Sequence, residues 1–222
     1  MIPLRDTQPS YSKPLVTIGL IAVNTLVFLF QATLDPFSLN QFIGSFGLVP
    51  DRLHWSALVT SMFLHGGWLH LIGNMWFLWI YGDNVEDILG HGKFLLFYLL
   101  CGIAAGLFHV VFNADSRLPT VGASGAIAGV MGAYMVKFPR SRIVTLVFIF
   151  FFVTTMEIPA SVMLIYWFVV QFFSGVGSIG YSHLSQGGVA WFAHVGGFLA
   201  GIGLIFALRP QDRYRRRPEL RW

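Results

Sequence analysis

The sequence predicts an all-α, polytopic membrane protein built as a bundle of six transmembrane helices, and three observations carry that reading. Hydrophobic residues make up 55% of the 222 residues and charged ones only 11%, against about 25% charged in an ordinary soluble domain. Apolar runs free of charge recur along the chain at the length a bilayer requires, about 20 residues. Basic residues fall lopsidedly between those runs. This composition excludes a water-soluble globule, a disordered chain and a coiled coil. A lone cysteine, Cys101, excludes an intramolecular disulfide scaffold.

The runs define the elements in order. Hydrocarbon offers the backbone no partner outside its own helix, so each span must be helical. Residues 14–34 form the first, opened by Pro14, which suits a helix's first turn, and closed by Asp35-Pro36. No small-residue cleavage site follows it, so it reads as a retained helix rather than a signal sequence. Residues 35–66 are a long, rather apolar connection, expected to lie in the interface. The second helix is expected to start near Trp68, after Gly66-Gly67, to run through Tyr81 and to continue to Glu86 before Gly90. Residues 94–114 give the third helix and 121–136 a fourth, rich in small residues and ended by Lys137, Pro139 and Arg140. Residues 158–173 and 188–208 give the fifth and sixth, joined by an uncharged, glycine-rich connection over 174–187. The apolar stretch 143–156 is short and is expected to be an interfacial or re-entrant approach to the fifth helix, with a seventh span as the rival reading.

Charge supplies an independent test of that count. Residues 209–222 hold six arginines against Asp212 and Glu219, which accounts for the whole net charge of +4. A basic tail of this kind fits anionic lipid headgroups, and no nucleic acid is expected as a partner. With six spans, Arg5, Lys13, Lys93, Lys137, Arg140, Arg142 and the six tail arginines share one side, leaving only Arg52 and Arg117 on the other. A split of 12 to 2 places both termini in the cytoplasm. The expected organisation is a cytoplasmic N-terminal segment (1–13), a six-helix membrane domain (14–208) and a basic cytoplasmic tail (209–222).

Polar side chains within spans are costly and mark candidate functional sites. Ser124 lies in Gly122-Ala123-Ser124-Gly125, which alone also reads as small-residue helix packing. His194 lies in Ala193-His194-Val195-Gly196-Gly197, where a histidine also serves by bonding a neighbouring hydroxyl or carbonyl. With both helices running inward from the outer side, Ser124 and His194 fall at similar depth. His194, Gly197 and Gly201 share a face, and Gly125 and Gly129 flank Ser124 and Ala128 on the facing helix, so the backbones can approach until hydroxyl meets imidazole. His70 and Asn74, four apart near the start of the second helix, stack on one face at the same depth. No His-Glu-x-x-His accompanies them and Glu157 is expected at the far end of its helix, so no metal and no cofactor are expected. As neutral donors His70 and Asn74 suit oxyanion stabilisation. His65, five residues before His70, is not expected to share its face.

These motifs together resemble the rhomboid intramembrane serine proteases: His70-x-x-x-Asn74 in the second helix, Gly122-Ala-Ser124-Gly125 opening the fourth, and Ala193-His194-x-x-Gly197-x-x-x-Gly201 in the sixth. Gly82-x-x-x-Glu86-x-x-x-Gly90 is a further family-like pattern, and the likeness covers residues 14–208. The resemblance implies a Ser–His dyad with no third carboxylate, Ser124 as nucleophile and His194 as general base. It implies an oxyanion hole made of the Ser124 backbone N–H with His70 and Asn74, and matches His65 to a further histidine of the first loop. Two positions depart from the pattern. Ser56-Ala57 stands where many members have Trp-Arg, and Ala128 stands where some place an aromatic against the histidine, which leaves the orientation of His194 unexplained.

The implied activity is serine-type endopeptidase cleavage of transmembrane protein substrates within the lipid bilayer, from the extracytoplasmic side of a prokaryotic plasma membrane. Polar residues of the outer half (His54, His65, His70, Asn74, His183 and Ser185) are expected to hold the water that hydrolysis needs. The glycines of 174–187 are expected to form a mobile cap over the site. The rivals are an inactive relative that binds membrane proteins without cutting them, disfavoured because serine and histidine are both present, and a small transporter. A transporter lacks its expected signature here, mid-membrane charge or an internal repeat.

Overall fold

The computed structural model describes residues 2–149, 152–179 and 190–208. In chain order it contains strand β1 (Ile2–Asp6), helices α1 (Leu15–Thr33), α2 (Pro36–Phe46), α3 (Ala57–Thr60), α4 (Trp68–Leu89), α5 (His91–Phe112) and α6 (Ser124–Lys137), strands β2 (Arg142–Ile149) and β3 (Phe152–Pro159), and helices α7 (Ala160–Ile179) and α8 (Trp191–Ala207). A helix therefore occupies each of the six positions read from the apolar runs. Two of them, α1 and α5, are long and apolar enough to cross a membrane by length and composition. The expected connection from residue 174 begins later, because α7 stays helical to Ile179. The tail 209–222, His183 and Ser185 lie outside the described residues.

Local chemistry explains the helix ends. Asp35 caps α2, its carboxyl oxygen accepting from the N–H groups of Phe37 and Ser38, with Pro36 at the first helical position. The pattern Gly82-x-x-x-Glu86-x-x-x-Gly90 resolves into three tasks one turn apart. A Cβ at Gly82 would come within 3.0 Å of Thr17 Oγ1, so the glycine admits α1. Glu86, fully buried, accepts from Val16 N–H (2.9 Å), Thr17 N–H (2.8 Å) and the Thr17 hydroxyl (2.7 Å). It thereby caps the start of α1, where Pro14 has no side-chain donor or acceptor to offer. Gly90, at φ 77°, ends α4 in a conformation that L side chains resist.

The core lies between α4, α5 and α6, where Tyr81, Phe94, Phe97, Tyr98 and Tyr134 are fully buried. Along the α6–α8 seam the close approach is steric in origin. A Cβ on Gly197 would run into the Gly125 carbonyl and one on Gly201 into the Gly129 carbonyl. A Cβ on Gly132 would strike the Phe198 carbonyl. Glycine at these positions lets the two backbones touch.

The fold is mostly helical, but it is not all-α. Residues 143–156 form neither a re-entrant approach nor a seventh helix: β2 and β3 make an antiparallel hairpin, and β1 adds to it in the order β1-β2-β3. The stretch is rich in β-branched residues and alternates by face. Ile143, Thr145 and Val147 are buried, with Val144 and Leu146 between them only partly so. Glu157, expected near a helix end, sits on β3 and pairs with Arg142 across the hairpin at 3.5 Å. Residues 2–6 are built into this sheet rather than trailing from the helices.

Candidate functional site

The site forms where three helices begin. Ser124 is the first residue of α6, His194 the fourth of α8, and His70 and Asn74 the third and seventh of α4. The loop leading to Ser124 is pinned by backbone pairs, Leu48 with Thr120 in both directions (2.9 and 2.8 Å) and Gly122 N–H to the Ser61 carbonyl (2.9 Å). The Thr120 hydroxyl lies 2.9 Å from His109 Nε2. Gly122 is required twice over. Its φ is 125°, and a Cβ there would come within 2.7 Å of His70 Nε2 and 3.6 Å of Asn74 Nδ2. The side chains expected from sequence to converge thus face the turn two residues before Ser124.

Across the glycine seam, Ser124 Oγ lies 2.8 Å from His194 Nε2. On the other side of the ring, His194 Nδ1 lies 2.6 Å from Gln171 Oε1. An amide oxygen accepts only, so Nδ1 carries the proton and Nε2 presents its lone pair to the serine hydroxyl. The opposite holds at His70. Its Nδ1 accepts from the Gly66 N–H at 3.3 Å, which leaves the proton on Nε2, the nitrogen that faces Gly122. Two histidines are held by their neighbours in opposite tautomers, one as acceptor and one as donor.

Asn74 Nδ2 is buried and has no hydrogen-bond partner among the described residues. Both ring nitrogens of buried His65 are likewise without one. The His65 and His70 rings meet edge to face, centroids 5.1 Å apart. They share no helical face, because α4 begins only at Trp68 and His65 lies in the loop before it, but that loop brings the two rings together. Gln31 of α1 fixes that loop, accepting from the His65 N–H (3.0 Å) and donating to its carbonyl (3.2 Å). A cleft lined by Ser61, Met62, Gly102, Gly122, Gly125 and Ala126 opens beside Ser124. Of the other expected water-holding residues, His54 is exposed. Among the described residues no three His, Cys, Asp or Glu side chains gather as metal ligands.

Sequence reasoning missed Gln171 and Trp167, one turn apart on α7. The Trp167 ring packs 5.8 Å from the His194 ring at 39°. The aromatic that Ala128 does not provide is therefore supplied from another helix. The signal was present, since Gln171 is the only amide in the apolar run of the fifth helix.

Residues 52–211 match the family model of the Rhomboid domain. The chain is similar to Rhomboid protease GluP of Bacillus subtilis, 38% identical over 128 residues, 55% of this chain and 24% of that protein. It is 31% identical over 160 residues to RHOMBOID-like protein 6, mitochondrial, of Arabidopsis thaliana, 70% of this chain and 45% of that one. To the human Presenilin-associated rhomboid-like protein, mitochondrial, it is 33% identical over 128 residues, 56% of this chain and 33% of that one. The aligned part thus spans less than half the length of each of these relatives.

Proposed function

We propose, given that the chain belongs to the rhomboid family of integral membrane proteins, that it is an intramembrane serine endopeptidase working through Ser124 and His194. The observation that carries the reading is the 2.8 Å contact between Ser124 Oγ and His194 Nε2, made between two helices that touch along their glycines. In this reading His194 Nε2 takes the hydroxyl proton as Ser124 attacks the scissile carbonyl, and returns it to the leaving amine. Water then hydrolyses the acyl-enzyme by the same route. The negative oxygen that develops meets His70 Nε2–H, the Asn74 amide and the N–H groups of the first turn of α6, which have no partner within their own helix. A small side chain before the cut is what the family resemblance implies, and Gly102, Gly122, Gly125 and Ala126 in the cleft lining are compatible with it.

We further assign six spans with both termini cytoplasmic, supported by the helices at the six predicted positions and the 12 to 2 division of basic residues. The β-sheet then lies on the cytoplasmic side and the site on the outer side. The substrates are transmembrane segments of other membrane proteins. The prokaryotic plasma membrane expected from sequence has no support from the relatives, several of which are named mitochondrial, and the proposed chemistry is the same in either membrane. The inactive alternative is opposed by the complete Ser–His contact. The deciding experiment incubates purified protein with a model transmembrane substrate, with and without Ser124→Ala. Cleavage by the parent alone supports the reading, and equal cleavage by both ends it.

A further inference from the structure

We infer that Gln171 is the positioning residue of the site: from α7 it holds His194 in the tautomer and orientation that let Nε2 act on Ser124. The inference rests on the dyad reading above and deepens it. The resemblance to the family supplies no partner for the second nitrogen of the histidine, whereas the structure does, at 2.6 Å and in a buried setting.

The chemistry argues for a purpose. A glutamine amide in an otherwise apolar helix is costly to bury unless its polar atoms are paired. Gln171 and His194 are each only 8% exposed, so little water competes for the bond. Oε1 has no proton to give, so the pair is compatible only with protonated Nδ1 in a neutral ring. Without that acceptor the imidazole is free to place its proton on Nε2, the form that cannot accept from a serine hydroxyl. Trp167, four residues earlier and so on the same face of α7, packs on the ring and limits its rotation. Gln171 and Trp167 together form a cradle on a helix that carries neither the nucleophile nor the oxyanion donors. The consequence is specific to this arrangement: the base is competent only while α7 is seated against α8.

The test uses the full-length protein and two substitutions. Gln171→Leu keeps the bulk and removes the acceptor; Gln171→Glu keeps an acceptor at the same reach. The first readout is the 15N spectrum of histidine-labelled protein, which reports the tautomer without substrate, His194 being identified by its loss in His194→Ala. The parent and Gln171→Glu are expected to keep the proton on Nδ1, and Gln171→Leu to populate the Nε2–H form. The second is kinetic. Gln171→Leu is expected to lower kcat, and the rate at which a fluorophosphonate labels Ser124, by about 100-fold with KM nearly unchanged, whereas Gln171→Glu recovers to within roughly tenfold of the parent. A parent-like tautomer or labelling rate in a folded Gln171→Leu variant overturns the inference. So does equal loss in both variants with a matching fall in Tm, which marks a packing role. Should the parent fail to label at Ser124, the protease reading falls, and the spectrum still decides whether Gln171 sets the tautomer.

Discussion

Both ends of α4 bury polar side chains, and they use them in opposite ways. Near its C-terminal end, Glu86 accepts three hydrogen bonds from the start of α1 and a fourth from His91 Nδ1 at 2.6 Å. Beside it Asp87 accepts from Tyr11 N–H, Ser12 N–H and the Ser12 hydroxyl. Near the N-terminal end, Asn74 keeps a buried donor that no described residue accepts, and His65 keeps two buried nitrogens in the same condition. Buried polar groups are almost always paired in native structures. The carboxylates at one end are fully paired, although buried Asn84 Oδ1 beside them is not, whereas the unpaired Asn74 donor at the other end faces the turn before Ser124, as the proposed oxyanion role requires.

The contrast breaks most visibly at Ser124. Ser124→Ala is expected to reduce cleavage of a transmembrane substrate by at least about 10⁴-fold with Tm unchanged, and the double variant with His194→Ala to be no worse than either alone, because the two act as a unit. Gel assays and a thermal-shift measurement on the purified variants check both halves. Next, Asn74→Ala is expected to lower turnover by roughly 10- to 1000-fold while leaving stability within about 1 kcal/mol of the parent. Unchanged turnover with a clear loss of Tm would place Asn74 with Glu86 as a tie between helices.

Glu86→Ala should show the reverse pattern. Removing the acceptor strands the first N–H groups of α1, and an expected loss of about 3 kcal/mol in denaturant unfolding accompanies near-parental turnover by the protein that stays folded. A larger effect on turnover than on stability would erase the distinction between the two ends. The smallest effect concerns Asp6, at the edge of the sheet, whose carboxyl accepts from the Tyr134 hydroxyl at 2.6 Å. Burial pushes its pKa up to about 6 from 3.8. The folded state binds the proton more tightly than the unfolded chain, so this contribution is fully present below about pH 4 and is lost as the pH rises through 6. Asp6→Asn should remove this contribution to the dependence, with a Tm gain over the parent that grows from near zero at pH 4 to about 2–4 °C at pH 7.5. A difference that is flat with pH counts against the burial of that charge.

Much of this was readable in the sequence, for physical reasons that also mark where reading stopped. Charge-free runs and the Gly66-Gly67 break placed α4 because apolar helical runs and glycine breaks act locally. The glycine spacing at 125, 129, 197 and 201 anticipated the α6–α8 seam because small residues repeat at helical intervals. The strand pair escaped because the sequence 143–156 contains no glycine, proline or asparagine to mark a turn, and because an uncharged stretch in an apolar protein looks like interfacial chain. Its β-branched alternation was the available signal. Gln171 escaped because its partner lies 23 residues away on another helix, and no periodicity relates the rotation of one helix to that of the next. The meeting of the His65 and His70 rings was not legible because His65 lies in a loop, where no helical periodicity relates it to α4.

The pairing of β1 with β2 sets an order of events during synthesis. Ile2 is matched to Leu146, so the first strand to be made waits for a partner about 140 residues later. At roughly 5–20 residues per second that delay is on the order of 10 to 30 s. Throughout it β1 has an unpaired edge while α1 through α6 are being made and packed. Once β2 arrives, β1 closes onto it, and β3 adds the last edge before running directly into α7. The sheet is therefore completed only after α6 has been made, and it is the platform from which α7 starts. Protease protection of residues 2–6 in arrested nascent chains would date its closure, with protection appearing only after the hairpin has been made.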